Sequence, residues 1–318
     1  MRGFFILVFI VCASVIEAQQ YPWWTQYSSQ PTLINPGFCG TKRLVDARLS
    51  YRNQWTGFDG APKTYALSIN SRLLKGKLGV GGFLFKDDIG PFRNFSSALT
   101  LAYHLKFPDS EFSFGVQGNY LSQQFIGTEI TVRNQQDKAL NLYSPDKSKA
   151  FETSAGFVYY NDRFHLGFSG NNLASSAFEY YKTDTLRKGK FKNVPHYSLS
   201  AGYNFADNID YTFENTVMVI YIPGVPSIFD YTMRLHIKKM LMAGFSFRLK
   251  DAVALQLGCT IKNDVQVSYS YDIVTSPLRT YQKGSHELKI VFSSNLGTDK
   301  RKRGFNNRFL KQRFQYLL

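Results

Sequence analysis

The chain has 318 residues and a formal charge of +15, from 38 Lys and Arg against 23 Asp and Glu. Aromatics at 16% exclude a disordered chain, and three cysteines exclude a disulfide scaffold or a multi-cysteine zinc framework. A mean hydropathy of −0.24 is too polar for a helical membrane bundle.

In chain order, Arg2 precedes the apolar run from Phe4 to Val11, and small residues lead to Ile16-Glu17-Ala18 before Gln19-Gln20. This is the layout of a secretory signal peptide, with cleavage expected after Ala18. The run is shorter than the ~20 apolar residues of a spanning helix. Cys12 raises a lipoprotein alternative, but Val11 is a poor residue before a lipidated cysteine. The exported chain keeps Cys39 and Cys259. They could pair in an oxidising compartment, and two isolated buried thiols are the preferred reading. Residues 19–43 carry Trp23, Trp24 and prolines without alternation, and read as a periplasmic or plug segment.

From 44 to 293 the hydrophobic period is two. In Phe112-Ser113-Phe114-Gly115-Val116-Gln117-Gly118-Asn119-Tyr120, Phe112, Phe114, Val116 and Tyr120 share one face, and small polar residues share the other. Runs 197–205, 229–237 and 265–272 repeat the pattern. About 14 such segments of roughly ten residues are counted, the length of tilted membrane-crossing strands. Their spans are 44–53, 62–72, 76–86, 94–107, 111–124, 150–160, 163–170, 195–206, 209–220, 228–238, 240–250, 252–260, 263–273 and 285–293. Connections alternate. Lys75-Gly76, Pro108-Asp109-Ser110, Asn161-Asp162, Asp207-Asn208 and Lys262-Asn263 are short, whereas 125–149, 171–194 and 274–284 are long. Pro223-Gly224-Val225-Pro226 is tighter, and Lys250-Asp251 is an exception.

The fold expected is therefore all-β, a transmembrane antiparallel barrel. A secreted sandwich is the alternative. Its polar faces would meet bulk water and carry many Lys and Glu, whereas these carry Gly, Ser, Asn, Gln and Thr. Arg234, Arg248, His104, Lys106 and Glu214 are expected in the lumen as ion-paired filling. Residues 294–318 form a basic periplasmic tail. Lys300 to Arg303, Arg308, Lys311 and Arg313 against Asp299 supply +6 of the +15. A solvated end is one reading of the tail, and docking to an acidic periplasmic ring protein or lipoprotein, or to anionic headgroups, is the other. Nucleic acid is not expected for an exported chain.

The five histidines fall on five segments, and no zinc-spaced Cys/His set, H-E-x-x-H or G-x-S-x-G occurs. Gly79-Val80-Gly81-Gly82 reads as strand glycine rather than a phosphate loop. No catalytic, cofactor or metal residues are assigned, and no enzyme is expected.

Gln20-Tyr21-Pro22-Trp23-Trp24-Thr25-Gln26-Tyr27, and then Pro31-Thr32-Leu33-Ile34-Asn35-Pro36-Gly37-Phe38-Cys39-Gly40, resemble the opening of the PorP/SprF family. Its members carry D-P-x-[FY]-[ST]-Q-Y and then x-N-P-A-[YF]-x-G. Here Tyr21 replaces the Asp and Gly37 the usual Ala. Tyr51-Arg52-Asn53-Gln54-Trp55 looks like the family's Y-R-x-Q-W element. Tyr269-Ser270-Tyr271-Asp272-Ile273 and Gly284-Ser285-His286-Glu287-Leu288 look like its G-Y-S-Y-D and G-S-H-E elements, with Val267-Ser268 where a glycine is often seen.

The resemblance implies an outer-membrane barrel of the type IX secretion and gliding-motility system. Its role would be secretion or surface attachment of cargo proteins, often adhesins, that carry a C-terminal sorting domain. Outer-membrane lipid, cargo and periplasmic components are the partners implied. Binding residues expected from the matched elements are Gln26, Tyr27, Asn35, Pro36, Gly40, Arg52, Gln54 and Trp55. Phe178, Tyr180 and Tyr181 are added as exposed loop aromatics, a type that anchors interfaces. Each of the matched residues also has a simpler reading as a turn or packing element. A channel for small solutes or apolar molecules is the runner-up function.

Overall fold

The structure is a computed structural model that describes residues 23–42, 45–129, 146–180, 189–206, 210–238, 240–262 and 265–294. Strands β1 (Val45–Asn53), β2 (Lys63–Leu73), β3 (Leu78–Ile89), β4 (Phe92–Lys106), β5 (Glu111–Phe125), β6 (Asp146–Tyr160) and β7 (Phe164–Ser175) form one half of the wall. A short hairpin, β8 (Phe178–Tyr180) and β9 (Gly189–Phe191), intervenes. The other half is β10 (His196–Ala206), β11 (Tyr211–Ile222), β12 (Val225–Ile237), β13 (Leu241–Arg248), β14 (Ala252–Lys262), β15 (Val265–Val274) and β16 (Ser285–Ser294).

The wall strands close into one antiparallel barrel in which β1 pairs with β16 from Val45↔Ser294 to Asn53↔His286. Closure leaves no edge, so the wall's backbone groups can pair within it, as a bilayer requires. Each of the 14 expected segments overlaps a wall strand. The sandwich is thereby excluded.

Alternation decides which face points where. In β1, Asp46, Arg48, Ser50 and Arg52 are buried in the lumen while Leu49 is 51% exposed outside. In β14, Ala252, Ala254 and Gln256 are buried and Leu255 and Leu257 are exposed. The outer surface carries Leu, Phe and Tyr, so it is a lipid-facing band.

The ends of β1, β5, β7 and β15 and the starts of β2, β6, β10 and β16 gather at one end of the barrel, called here the loop end. The short turns gather at the other. Three loop-end connections are tight, one more than the sequence indicated. Strand β3 runs on to Ile89, so only Gly90 and Pro91 join it to β4. Val225 and Pro226 belong to β12, leaving Pro223 and Gly224 as the turn.

Two expectations need correction. Cys39 is buried, but Cys259 is exposed on the outer face of β14, and both thiols are free. Phe178 is not an exposed loop aromatic. It is 3% exposed and stacks on Phe191 at 4.9 Å. The hairpin folds inward, because Glu179 N–H donates to Ser148 Oγ at 2.7 Å on the lumen face of β6. Tyr181, the signal peptide and the basic tail lie outside the described residues.

Candidate functional site in the barrel lumen

Residues 23–42 lie inside the barrel. They form three single 3₁₀ turns, Tyr27–Ser29, Pro31–Leu33 and Pro36–Phe38, and no longer element. Prolines at the start of two turns fix φ where no N–H is needed. The segment crosses the lumen lengthwise. At the loop end Trp23 lies under the Arg248 guanidinium, 4.7 Å from the ring centroid. At the turn end Lys42 Nζ is 3.4 Å from Asp46.

Because so short a segment cannot satisfy its own backbone, the wall does it. The first anchor is built from β1, β15 and β16. The Arg52 guanidinium donates to Asp272 Oδ2 at 2.7 Å, to Thr25 Oγ1 at 2.9 Å and to Glu287 Oε2 at 3.3 Å. Glu287 also accepts the backbone N–H groups of Thr25 at 2.8 Å and Gln26 at 3.2 Å. Lys289 Nζ donates to the Gln26 carbonyl at 2.6 Å and to Ser29 Oγ at 2.9 Å. Two cations, two carboxylates and the turn thus bond one another away from water. Removing one member of such a set costs about 3–5 kcal/mol, because the others stay buried and unpaired.

The second anchor is neutral. The Gln30 amide donates to Ser68 Oγ at 2.9 Å on β2 and accepts from Ser50 Oγ at 2.7 Å on β1. The third lies against β5, β6 and β7. Asn35 Oδ1 accepts Gly37 N–H at 2.8 Å and so caps its own turn, while its amide donates to the Phe157 and Phe168 carbonyls at 3.1 and 3.2 Å. Pro36 lies so close to β5 that a Cβ on Gly115 would be 2.3 Å from the proline carbonyl. On β4, His104 Nε2 stands 3.0 Å from the Cys39 carbonyl.

The matched residues therefore separate. Gln26, Tyr27, Asn35, Pro36, Gly40 and Arg52 all converge on this lumenal joint. Gly40 has φ +72 and donates to Asn70 Oδ1 at 3.4 Å. Tyr27 is buried, 6.0 Å from the Trp23 ring. Burial, with Asp230 nearby, pushes its phenol well above the usual range. Gln54 and Trp55 do not join them. They begin the loop after β1, where Gln54 N–H donates to the Pro62 carbonyl and Trp55 N–H to Ser285 Oγ at 3.1 Å. Tyr180 sits opposite Gly189 in the separate hairpin.

Thr25, Asp272, Glu287 and Lys289 also bind the segment to the wall, and the first three stand inside the matched motifs without being among the expected binding residues. For Asp272, Glu287 and Lys289 the signal is a charge at lumen parity on a strand whose lumen face otherwise carries mostly small polar residues. Arg234, Arg248, His104 and Glu214 do face the lumen. Arg234 pairs with Glu214, and Arg248 Nε lies 3.3 Å from Asp230. Lys106 is exposed at the turn end. Among the described residues no three His, Cys, Asp or Glu side chains converge as a metal site.

This joint ties the opening segment, the end of β1 and the two C-terminal elements into one bonded unit. The profile of the type IX secretion system membrane protein PorP/SprF matches residues 16–292. The chain belongs to the PorP/SprF family. PorP/SprF membership and the closed barrel together place it in the outer membrane, in a secretion-system context. No curated protein matches it in sequence. Among solved structures, the CymD monoaromatic hydrocarbon channel is 11% identical, with 85% of this chain and 93% of that chain covered and a TM-score of 0.52. The Pseudomonas putida toluene transporter TodX is 10% identical over 88% and 95% of the two chains, with a TM-score of 0.49. The Acinetobacter baumannii outer membrane protein Omp33 is 9% identical over 79% and 99%, with a TM-score of 0.47. The likeness to CymD is one of barrel fold.

Proposed function

We propose that this PorP/SprF barrel is a non-enzymatic part of type IX secretion, needed for the secretion or cell-surface attachment of cargo proteins with a C-terminal sorting domain. The observation that carries the reading is the bonded segment in the lumen. Wall charges that would line a solute path are instead spent on fixing residues 23–42, which suits a rigid docking scaffold better than an open pore. Recognition needs surfaces and no nucleophile. The loop end, exterior by the loop-length rule, would present them to cargo. On the periplasmic side the basic tail would meet acidic ring or lipoprotein components.

Deleting the gene should remove one or a few large proteins from the cell surface while other outer-membrane proteins stay. Fractionation of the deletion strain tests this. Normal cargo display with lost uptake of a small solute would replace it with the second reading, a channel for small solutes or apolar molecules. That reading draws on the fold likeness to CymD and on an apolar patch in the lumen. There Phe83 and Phe85 of β3 and Ile220 of β11 meet Trp23, Trp24 and Leu33.

A further inference from the structure

The outward face of the wall is not uniform near the loop end. Lys63, Asp88, Arg93, Gln124 and Lys147 stand in register on one rung across β2 to β6. The next rung toward the middle runs Tyr65, Lys86, Phe95, Ser122 and Lys149. All five cations share the outward parity of their strands. Lys63, Lys147 and Lys149 are exposed, and the Lys86 side chain is 55% exposed. One rung further in, the face turns apolar, with Leu67, Leu84 and Phe151 exposed at 37%, 48% and 64%. Charge gives way to hydrocarbon-facing residues within two rungs, which marks the boundary of the bilayer core.

Among the described residues the outward wall positions on the opposite half of the rim form no such belt. Near the loop ends of β10 to β15 the outward residues are Tyr197, Tyr221, Phe229, Phe247, Val253 and Ile273. Among the described wall strands the outward cations are thus gathered on one side of the barrel, while Lys250, Arg279 and Lys283 of the opposite side belong to connections beyond the wall. The belt cations outnumber the acids that bridge to them. Asp88 lies 2.9 Å from Lys86 and 3.7 Å from Arg93, and Glu129 lies 2.7 Å from Arg93. Lysine stems lie along apolar surface while their ammonium groups reach the headgroup layer. Ammonium and guanidinium groups there form charge-assisted hydrogen bonds with phosphate.

We propose that the β2–β6 sector of the outer rim is a binding surface for the phosphorylated glycolipid of the outer leaflet, with Lys63, Lys86, Lys147 and Lys149 on its phosphates. The inference needs the loop end to face the exterior but is independent of any cargo role. Charge complementarity selects the occupant. A belt one rung above exposed Leu and Phe meets headgroups, and the headgroup anion at that depth is phosphate. The surface orients the barrel in the leaflet, leaving the β10–β15 wall to make apolar contacts.

The test uses the full-length barrel purified in detergent, incubated with bisphosphorylated lipid A or with its dephosphorylated form, and lipid retained through gel filtration measured by mass spectrometry. The wild type should retain bisphosphorylated lipid A and little of the dephosphorylated form. The quadruple variant Lys63→Gln, Lys86→Gln, Lys147→Gln, Lys149→Gln should retain at least tenfold less, with unchanged heat-modifiable gel mobility as the measure of an intact barrel. A charge-matched control at the turn end, Lys77→Gln, Lys106→Gln, Arg163→Gln, Lys238→Gln, should retain the wild-type amount. Equal retention by the belt variant, or equal retention of both lipids by the wild type, would overturn the proposal. So would a belt variant that keeps its lipid but no longer displays cargo, since the cations would then belong to a protein interface.

Discussion

Arg52 is the residue on which most of the lumenal joint depends. It holds Asp272, Glu287 and Thr25 together, so Arg52→Met should destabilise the seated segment by about 3–5 kcal/mol. Cys39 reports on that seating. It is buried, and burial pushes its thiol up to about 12, so it is neutral and shielded at pH 7.5. A water-soluble maleimide should leave Cys39 unlabelled in the native protein, label it after denaturation, and label it measurably in the native Arg52→Met variant. Equal protection in both natives would remove Arg52 from the anchor. Lys42 adds a pH dependence. Burial, and then Arg48, lower its ammonium to about 7, while the unfolded value is the ordinary one near 10.4. Above pH 7 the folded state sheds a proton that the unfolded state still binds, so stability rises with pH at up to about 1.4 kcal/mol per unit. Above about pH 9 the thiol of Cys39 opposes it, being raised in the folded state and ionising first in the unfolded one. Protection of Cys39 should therefore strengthen from pH 7 to pH 9, and Lys42→Met should abolish that rise.

Strands were the legible elements, and the reason is geometric. A wall strand alternates because lumen and lipid alternate, and 197–205 or 265–272 show it without any partner in view. Two elements were not legible. The β8–β9 hairpin has three residues per strand, too few for a period, and its inward fold depends on Ser148 of a distant strand. Residues 23–42 have no period because each polar side chain answers a particular wall residue and not its own neighbours. For the same reason the motifs around Arg52, Asp272 and Glu287 could be recognised in the sequence while their common destination could not. Phe178 illustrates the cost of reading loops as exposed. Phe178→Ala should detach the hairpin from β6 with a local loss of about 3 kcal/mol, the low end for a buried Phe. Proteolysis confined to 176–195 would reveal it, with the barrel intact.

For the whole molecule, closure and filling make separate predictions. A closed wall with no edge should migrate compactly in detergent gels until heated and give a mainly β circular dichroism spectrum. Recovery as a soluble periplasmic protein would contradict the fold. Filling predicts electrical silence. Reconstituted in planar bilayers, the wild type should show no steady ion conductance, whereas a variant lacking residues 23–42 should conduct if it closes. A conducting wild type would favour the solute channel over the docking scaffold.

The contact between Thr25 and Glu287 spans 262 residues, and that between Gln26 and Lys289 spans 263. The seal thus joins the segment ahead of β1 to the last strand of the wall. Pairings so distant form late, after their loop-closure entropy has been met. A barrel inserted up to β14 would hold its lumenal segment through Gln30, Asn35, the Lys42–Asp46 pair, Arg52 on Thr25 and Arg248 over Trp23, but without the carboxylates of Asp272 and Glu287 or the Lys289 ammonium. The ionic clamp arrives with β15 and β16, in the same step that joins β16 to β1. Membrane leakiness during biogenesis is therefore timed by the C-terminal strands. A chain truncated before Ser285 should be toxic through ion leakage at expression levels that the full chain tolerates.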